Sequence, residues 1–415
     1  MRALCALLLI CLWPTVAIAS IAPIAPIASA APTADHPTLA ALKRLNRTPK
    51  YVDQHRKEMA RSAALVNYCQ SFDQGCVDYI ADNREAVIAE LPDSPAYWQA
   101  YLDFIASAPI PFEHAQFFKA SKPGDDYELG LPLIHAARDW AIYEVAHTGN
   151  LDAAEVLGIA RGARHRLMHS ETLLERMIFV AITPFVQASV GFAMRQEAAS
   201  GNTEMLESLY QATRPLQPAE LSLAAIAERE LDPTKFVDPP QSEVEWAAWV
   251  STVFADFPEQ EAIQLARVPT PEAFSAMPEN FRQVRLAMNL TIESVRLTGA
   301  QTLEAYWDSE QLVPSGWDTL TAQLGAEEMS HWVLLYVPEF SDYIRNSMQL
   351  ALNQQVLHAL ADVYSGRTSL GVPARPPLNN FVWGWRNSEQ KLCLTPIDGA
   401  RGGAMEVCGT PFSAL

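Results

Sequence analysis

From about Thr38 to Tyr364 the apolar positions recur at helical spacing. The last of these segments has the plainest pattern. Phe340, Ile344, Met348, Leu352, Val356, Leu360 and Val363 follow one stripe at steps of mostly four, which predicts a long amphipathic helix. Gln355, His358 and Asp362 fall on its opposite side and are expected to face water. Leu151 to His169 reads the same way. Ala153, Val156, Ala160, Ala163 and Leu167 form its apolar face, and Arg161, His165 and His169 share a polar one. Met177 to Met194 carries no charge over 18 residues, which is long enough to cross a bilayer. Pro184, Gln187, Ser189 and Gly191 within it, and the amphipathic segments around it, point instead to a central buried helix kinked at Pro184.

Stop and start signals punctuate the pattern. Thr270-Pro271-Glu272 places an N-cap, a proline at the first helical position and an acid in the first turn. Val337-Pro338-Glu339 repeats the proline and the acid. Thr172 and Glu175 have capping-box spacing. His147-Thr-Gly-Asn150 reads as a stop and a new cap. No fixed period recurs, so a regular repeat array is not expected.

After Gly366 the texture changes. Pro373, Pro376 and Pro377 mark a linker. Then Phe381 to Trp385, Lys391 to Leu394 and Met405 to Cys408 alternate like short strands. The expected fold is therefore mainly α: an irregular helical bundle or helical-hairpin array, with a small disulfide-tied β appendage at the C-terminus. Trp383 and Trp385 are expected to pack that tail against a helix.

The N-terminus has the layout of an export signal. Met1-Arg2 precedes an apolar run from Ala3 to Trp13, followed by Pro14 and small residues. Residues 1–30 are read as a signal peptide cleaved after Ala28-Ser29-Ala30, with Ala17-Ile18-Ala19 as the alternative site near 19. Residues 31–37 are a flexible linker, 38–365 the helical body, and 366–415 the linker and β-hairpin tail. The competing reading is an uncleaved tether to the inner membrane, interrupted by Pro14, Pro23 and Pro26. Outside the signal four cysteines remain. Proximity favours Cys69 with Cys76 and Cys393 with Cys408, as an exported chain allows. The chain is expected in the periplasm or outside the cell, with no transmembrane span once processed.

Composition narrows the chemistry. Lys+Arg number 30 against Asp+Glu 48, a net charge of −18, which speaks against a nucleic-acid partner because phosphate neutralisation needs clustered cations. Phosphate loops, H-E-x-x-H and G-x-S-x-G are missing. Ser388-Glu-Gln-Lys391 matches S-x-x-K but falls in an expected hairpin turn. Two Glu-x-x-His pairs, Glu144 with His147 and Glu328 with His331, have the spacing at which one helix face could chelate a metal. Together they suggest a dinuclear Fe or Mn carboxylate site. His165 and His169, four apart, lie beside Arg161, Arg164 and Arg166. That reads as a solvated basic patch, or a site for an acidic group on a partner. His135 and Asp139 are expected to form a buried hydrogen-bonded pair. Trp246 and Trp249 share a helix face, either as core or as part of a hydrophobic partner groove.

Two stretches carry a resemblance. One is Gly149-Asn-Leu-Asp-Ala-Ala-Glu continuing into Glu171-Thr-Leu-Leu-Glu-Arg-Met-Ile-Phe-Val-Ala-Ile182. The other is Asn379-Asn-Phe-Val-Trp-Gly-Trp385 followed by Lys391-Leu-Cys-Leu. They resemble a group of uncharacterised exported helical proteins of Gram-negative bacteria, over about a fifth of the chain. The group's usual Asn-Pro is Asn-Asn here. The resemblance implies export and a helical body, and no activity. The functional expectation is an exported envelope protein that presents a helical groove to a protein partner and needs no cofactor. The alternative is an oxidoreductase built on the two Glu-x-x-His pairs.

Overall fold

A computed structural model describes residues 68–69, 72–91, 95–109, 127–254, 258–325, 329–369, 378–386 and 391–409. The expected signal peptide, the expected first linker and the prolines at 373–377 lie outside them. The described chain is mostly helical and ends in a small antiparallel sheet. The helices are α1 (Gln74–Asp82), α2 (Arg84–Glu90), α3 (Pro95–Ala106), α4 (Tyr127–Thr148), α5 (Ala153–His169), α6 (Leu173–Ser200), α7 (Thr203–Ala212), α8 (Pro218–Leu221) and α9 (Ala224–Glu230). A 3-10 turn at Pro233–Phe236 leads to α10 (Glu243–Val253), α11 (Pro258–Leu265), α12 (Pro271–Gly299), α13 (Leu303–Trp307), α14 (Gly316–Leu324), α15 (His331–Tyr336) and α16 (Phe340–Tyr364).

Helix α6 is the hub of the first half. It packs on α4, α5, α7 and α16, and 67% of its most apolar 18-residue window is buried. Pro184 lies inside it and the helix continues through. Next to the proline, the Thr183 hydroxyl donates to the Phe179 carbonyl at 2.6 Å. Helix α12 is the second hub, carrying α9, α14, α15 and the 3-10 turn. Helix α16 touches both hubs and the sheet, and one continuous apolar core runs through all of them.

Thr172 caps α6 by accepting from the Glu175 N–H at 3.2 Å. The Glu175 carboxylate turns to Arg166 on α5, its Oε1 accepting from Nη1 at 2.7 Å, with both side chains fully buried. The Arg166 guanidinium lies 4.1 Å from the Phe104 ring centroid and 5.5 Å from that of Phe179. It also donates to the Ser107 and Ala108 carbonyls and to the Ser107 hydroxyl, just past the end of α3. One cation therefore fastens α3, α5 and α6 together. Arg166 was expected in a solvated basic patch, and the structure corrects this. Its position, three residues after Ala163 and one before Leu167, puts it on the apolar face.

Thr270 caps α12 as its spacing predicts. Two boundaries differ from expectation. Phe340, not Pro338, is the first residue of α16, with Glu339 at the N-cap position, and Asp152, not Asn150, caps α5 by accepting from the N–H groups of Ala154 and Glu155. The stop at Gly149 stands, with φ at +81°.

The apolar stripe of α16 is buried from Phe340 to Leu360, but His358 and Asp362 are buried too, against expectation. The helix is enclosed on several sides by α6, α7, α8 and α12, so its second face meets protein rather than water. The Tyr210 hydroxyl donates to Asp362 Oδ1 at 2.8 Å. Gln354 accepts from the Leu216 N–H at 2.7 Å.

Strands β1 (Phe381–Arg386), β2 (Lys391–Pro396) and β3 (Val407–Gly409) pair in sequence order, all antiparallel. Cys393 faces Cys408 across the ladder, and the two are joined. Cys69 and Cys76 form the second disulfide. The sheet is fastened to the body through Phe381, buried with its ring centroid 6.2 Å from that of Trp307, while Trp383 and Trp385 are half-buried against the core. A Cβ on Gly409 would come within 2.8 Å of Leu360 on α16, so the glycine permits that close approach.

Two predictions follow from this packing. Arg166→Leu removes the cation that is hydrogen-bonded to the buried Glu175 carboxylate, and urea unfolding should show a loss of about 3–5 kcal/mol. A loss below about 1 kcal/mol, the worth of a surface pair, would show that the pair is not the fastening described. Replacing both Cys393 and Cys408 by Ser opens a loop whose ends are 15 residues apart. It should cost about 3 kcal/mol, and non-reducing peptide mapping of the unmodified protein should recover only Cys393 with Cys408 and Cys69 with Cys76.

Candidate functional site

Glu144 and His147 share the end of α4, both half-buried. His147 Nδ1 lies 2.9 Å from the Tyr143 carbonyl oxygen, and its ring centroid lies 4.1 Å from that of Tyr143 with the planes tilted by 37°. Burial raises the Glu144 pKa, His147 opposes this, and Asp152 adds to it. Helix α15 begins at His331, after the Ser330 cap, and Glu328 lies outside the described residues. His331 is exposed on a helix that packs on α12, whereas α4 packs on α1, α2, α3 and α6. The dinuclear arrangement needs both pairs to face one another inside a bundle, and these helices sit against different neighbours. Among the described residues one group brings three metal-binding atoms together: Cys393, Glu406 and Cys408. Its two sulfurs are already bonded to each other, so no thiolate is there to ligate.

Arg161, His165 and His169 lie exposed along α5 as expected, the two rings 4.6 Å apart. Arg164 and Arg166 do not join them. Arg164 pairs with Glu220 at 3.1 Å, and Arg166 is internal. Burial, the His169 ring and the nearby Arg166 all lower the His165 pKa. Asp139 is buried and paired with Arg138 at 2.7 Å. The His135 side chain lies outside the described residues, and so does Ser388.

Trp246 is buried and Trp249 half-buried, and their rings stack at 5.2 Å. Both meet Trp332 of α15, at 6.1 and 6.0 Å. Phe236, Phe281 and Tyr336 complete the cluster around Trp249. Trp249 Nε1 donates to the Lys235 carbonyl at 2.9 Å. The tryptophans thus hold α10, α12 and α15 together, and the surface of this lobe is carried by other residues.

One contact between a hydroxyl and a histidine escaped the sequence reading. Thr213 Oγ1 lies 2.6 Å from His358 Nδ1, at the end of α7. A hydroxyl against an imidazole is the geometry of an activated nucleophile. Here the Thr213 hydroxyl donates to the Tyr210 carbonyl at 2.7 Å, and the adjoining cavity is about 20 Å³, room for one or two waters. No substrate of ordinary size fits, so the contact serves to satisfy buried polar groups. A four-residue step from His358 to Asp362 was the available signal, but the sequence does not show what faces it.

No protein-family model, curated protein or solved structure matches this chain. What it does must be argued from its own residues.

Glu144 supplies a pH test. Its carboxyl is raised in the folded state, so the folded chain holds that proton more tightly than the unfolded one. The stability tied to the proton is present at low pH and is lost as pH rises through the folded-state titration. Glu144→Gln should therefore raise Tm at pH 7 relative to the unmodified protein, and the gain should vanish near pH 4. Equal Tm differences at both pH values would contradict the assignment.

Proposed function

We propose that this is an exported cell-envelope protein, periplasmic or secreted, that binds or scaffolds a protein partner through its helical body. The observation that carries this reading is where apolar side chains remain exposed. Six of the twelve large apolar side chains that stand exposed among the described residues, Val237, Val244, Ile263, Val268, Leu334 and Leu335, lie on or next to the 3-10 turn, α10, α11 and α15, and Val244 is 81% exposed. Trp246, Trp249 and Phe236 tie the 3-10 turn, α10 and α15 together, and Trp246 Nε1 also donates to the Gln264 carbonyl of α11. Apolar surface gathered on one lobe is the usual mark of a docking face. Helix α12, on which the 3-10 turn and α15 pack, gives such a face its base. Two disulfides and the signal-like N-terminus support an oxidising compartment. The acidic balance speaks for a protein partner rather than a nucleic acid. No catalytic constellation among the described residues competes with this reading.

The test is crosslinking and pull-down of the processed protein from native envelopes, beside a Val244→Asp, Leu334→Asp variant. One stoichiometric partner that is lost in the variant, with Tm unchanged, is the expected result. A partner retained by the variant would move the face elsewhere. Turnover of an envelope substrate by the purified protein would replace the binding reading with an enzymatic one.

A further inference from the structure

A second cavity lies where α12, α13, α14 and α16 meet the loop between β2 and β3. It measures about 20 Å³, room for one to two water-sized oxygens at roughly 10–15 Å³ each. Four buried polar atoms among its lining residues have no hydrogen-bond partner: the Tyr306 hydroxyl, Thr291 Oγ1, Trp317 Nε1 and Arg401 Nη1. Tyr306 is 1% exposed and Thr291 2%. An orphaned buried donor costs about 1–3 kcal/mol, more when charged. Four at one cavity require an occupant.

The donors define that occupant. The indole and guanidinium N–H groups can only donate, and both hydroxyls are able to. Arg401 brings a positive charge, with its guanidinium 4.3 Å from the Tyr306 ring centroid. The other charges near Tyr306 are Arg345 and Asp342, and these pair with each other at 2.7 Å. On α14 the nearest acid, Asp318, is turned back onto the Ser315 cap. One or two waters would accept these bonds but would leave the cation without an anion. A carboxylate offers two oxygens, about four acceptor sites and the missing negative charge. The four oxygens of a phosphate do not fit the volume.

The backbone builds this site deliberately close. A Cβ on Gly316 would come within 2.6 Å of Thr291, so only glycine lets the start of α14 approach α12 there. Arg401 is delivered by the tail: its N–H donates to the Trp307 carbonyl at 2.8 Å, and the Ser309 N–H donates to the Gly399 carbonyl at 3.0 Å. Half-exposed Val313 and Ser341 border the cavity and give a way in.

We propose that this cavity binds a carboxylate group, with Arg401 as its cation and Tyr306, Thr291 and Trp317 as its neutral donors. The carboxylate belongs either to a small free acid or to the C-terminus of a peptide. The experiment is indole ¹H–¹⁵N NMR on the processed protein, with the Trp317 resonance assigned through Trp317→Phe. Acetate is titrated at constant ionic strength against chloride. Saturable movement of the Trp317 resonance with acetate but not chloride, at a Kd in the roughly millimolar range, is expected. Arg401→Gln and the shape-preserving Tyr306→Phe should each weaken acetate about tenfold. Circular dichroism and Tm report whether each variant stays folded, and Arg401→Lys, which keeps the charge, should bind between the two. A peptide with a free C-terminus that binds more tightly than acetate, while its amidated form does not bind, assigns the peptide source. Equal affinity of acetate and the free peptide assigns the small acid. No acetate-specific movement up to about 100 mM overturns the site and leaves water as the occupant.

Discussion

The first half of this protein depends on a buried ion pair. Arg166 and Glu175 have no solvent access, and moving two such charges out of water costs several kcal/mol per ion. The structure offsets that cost by surrounding the cation. Two aromatic faces, three oxygens from the end of α3 and the carboxylate leave little of the guanidinium unmatched. Burial pulls the Arg166 pKa down to about 10, with Glu175 opposing, so the group stays charged at neutral pH. The geometry can be met only when α3, α5 and α6 arrive together. Such a pair contributes less to net stability than to selecting one arrangement of helices over others, which an apolar seam of alanines and valines would tolerate. Nearby, Arg176 donates to the Met168 and Glu220 carbonyls, and Glu230 accepts from the Leu173 N–H at the start of α6. The start of α6 is thus held by charged side chains from two directions.

The helical class, the disulfide pairs, the β tail and several caps were legible in the sequence because each rests on local spacing. Thr172 and Glu175 mark a helix start at three residues apart whatever surrounds them. The same spacing misled on the glutamate itself, whose carboxylate crosses to α5 instead of closing a capping box. His358 and Asp362 failed for a related reason. A helical wheel distinguishes an apolar face from a polar one, and it assumes that the polar face meets water. Helix α16 is enclosed, and its polar side chains are matched by Tyr210 and Thr213 from a helix about 150 residues earlier. Long-range partners of this kind leave no trace in periodicity. The Glu-x-x-His spacing assumes one helix for each pair, whereas α15 begins only at His331, after the Ser330 cap.

The tail shows how a weak element becomes part of a site. A sheet this small needs an apolar face or a helix to pack on, and here it packs on α16. Its disulfide removes freedom from the unfolded chain, and Phe381 and Gly409 give it two close contacts with the body. Those contacts would suffice to anchor it, yet the β2–β3 loop reaches further, pairing its backbone with α13 and carrying Arg401 over the Tyr306 ring. A loop that served only to connect two strands would leave its arginine in solvent, where hydration is strongest. Placing the cation against an aromatic face with a nitrogen buried and unmatched raises the energy of the empty state. An occupant that matches it would therefore join tail and body through one group, and its binding energy would add directly to the sheet's attachment.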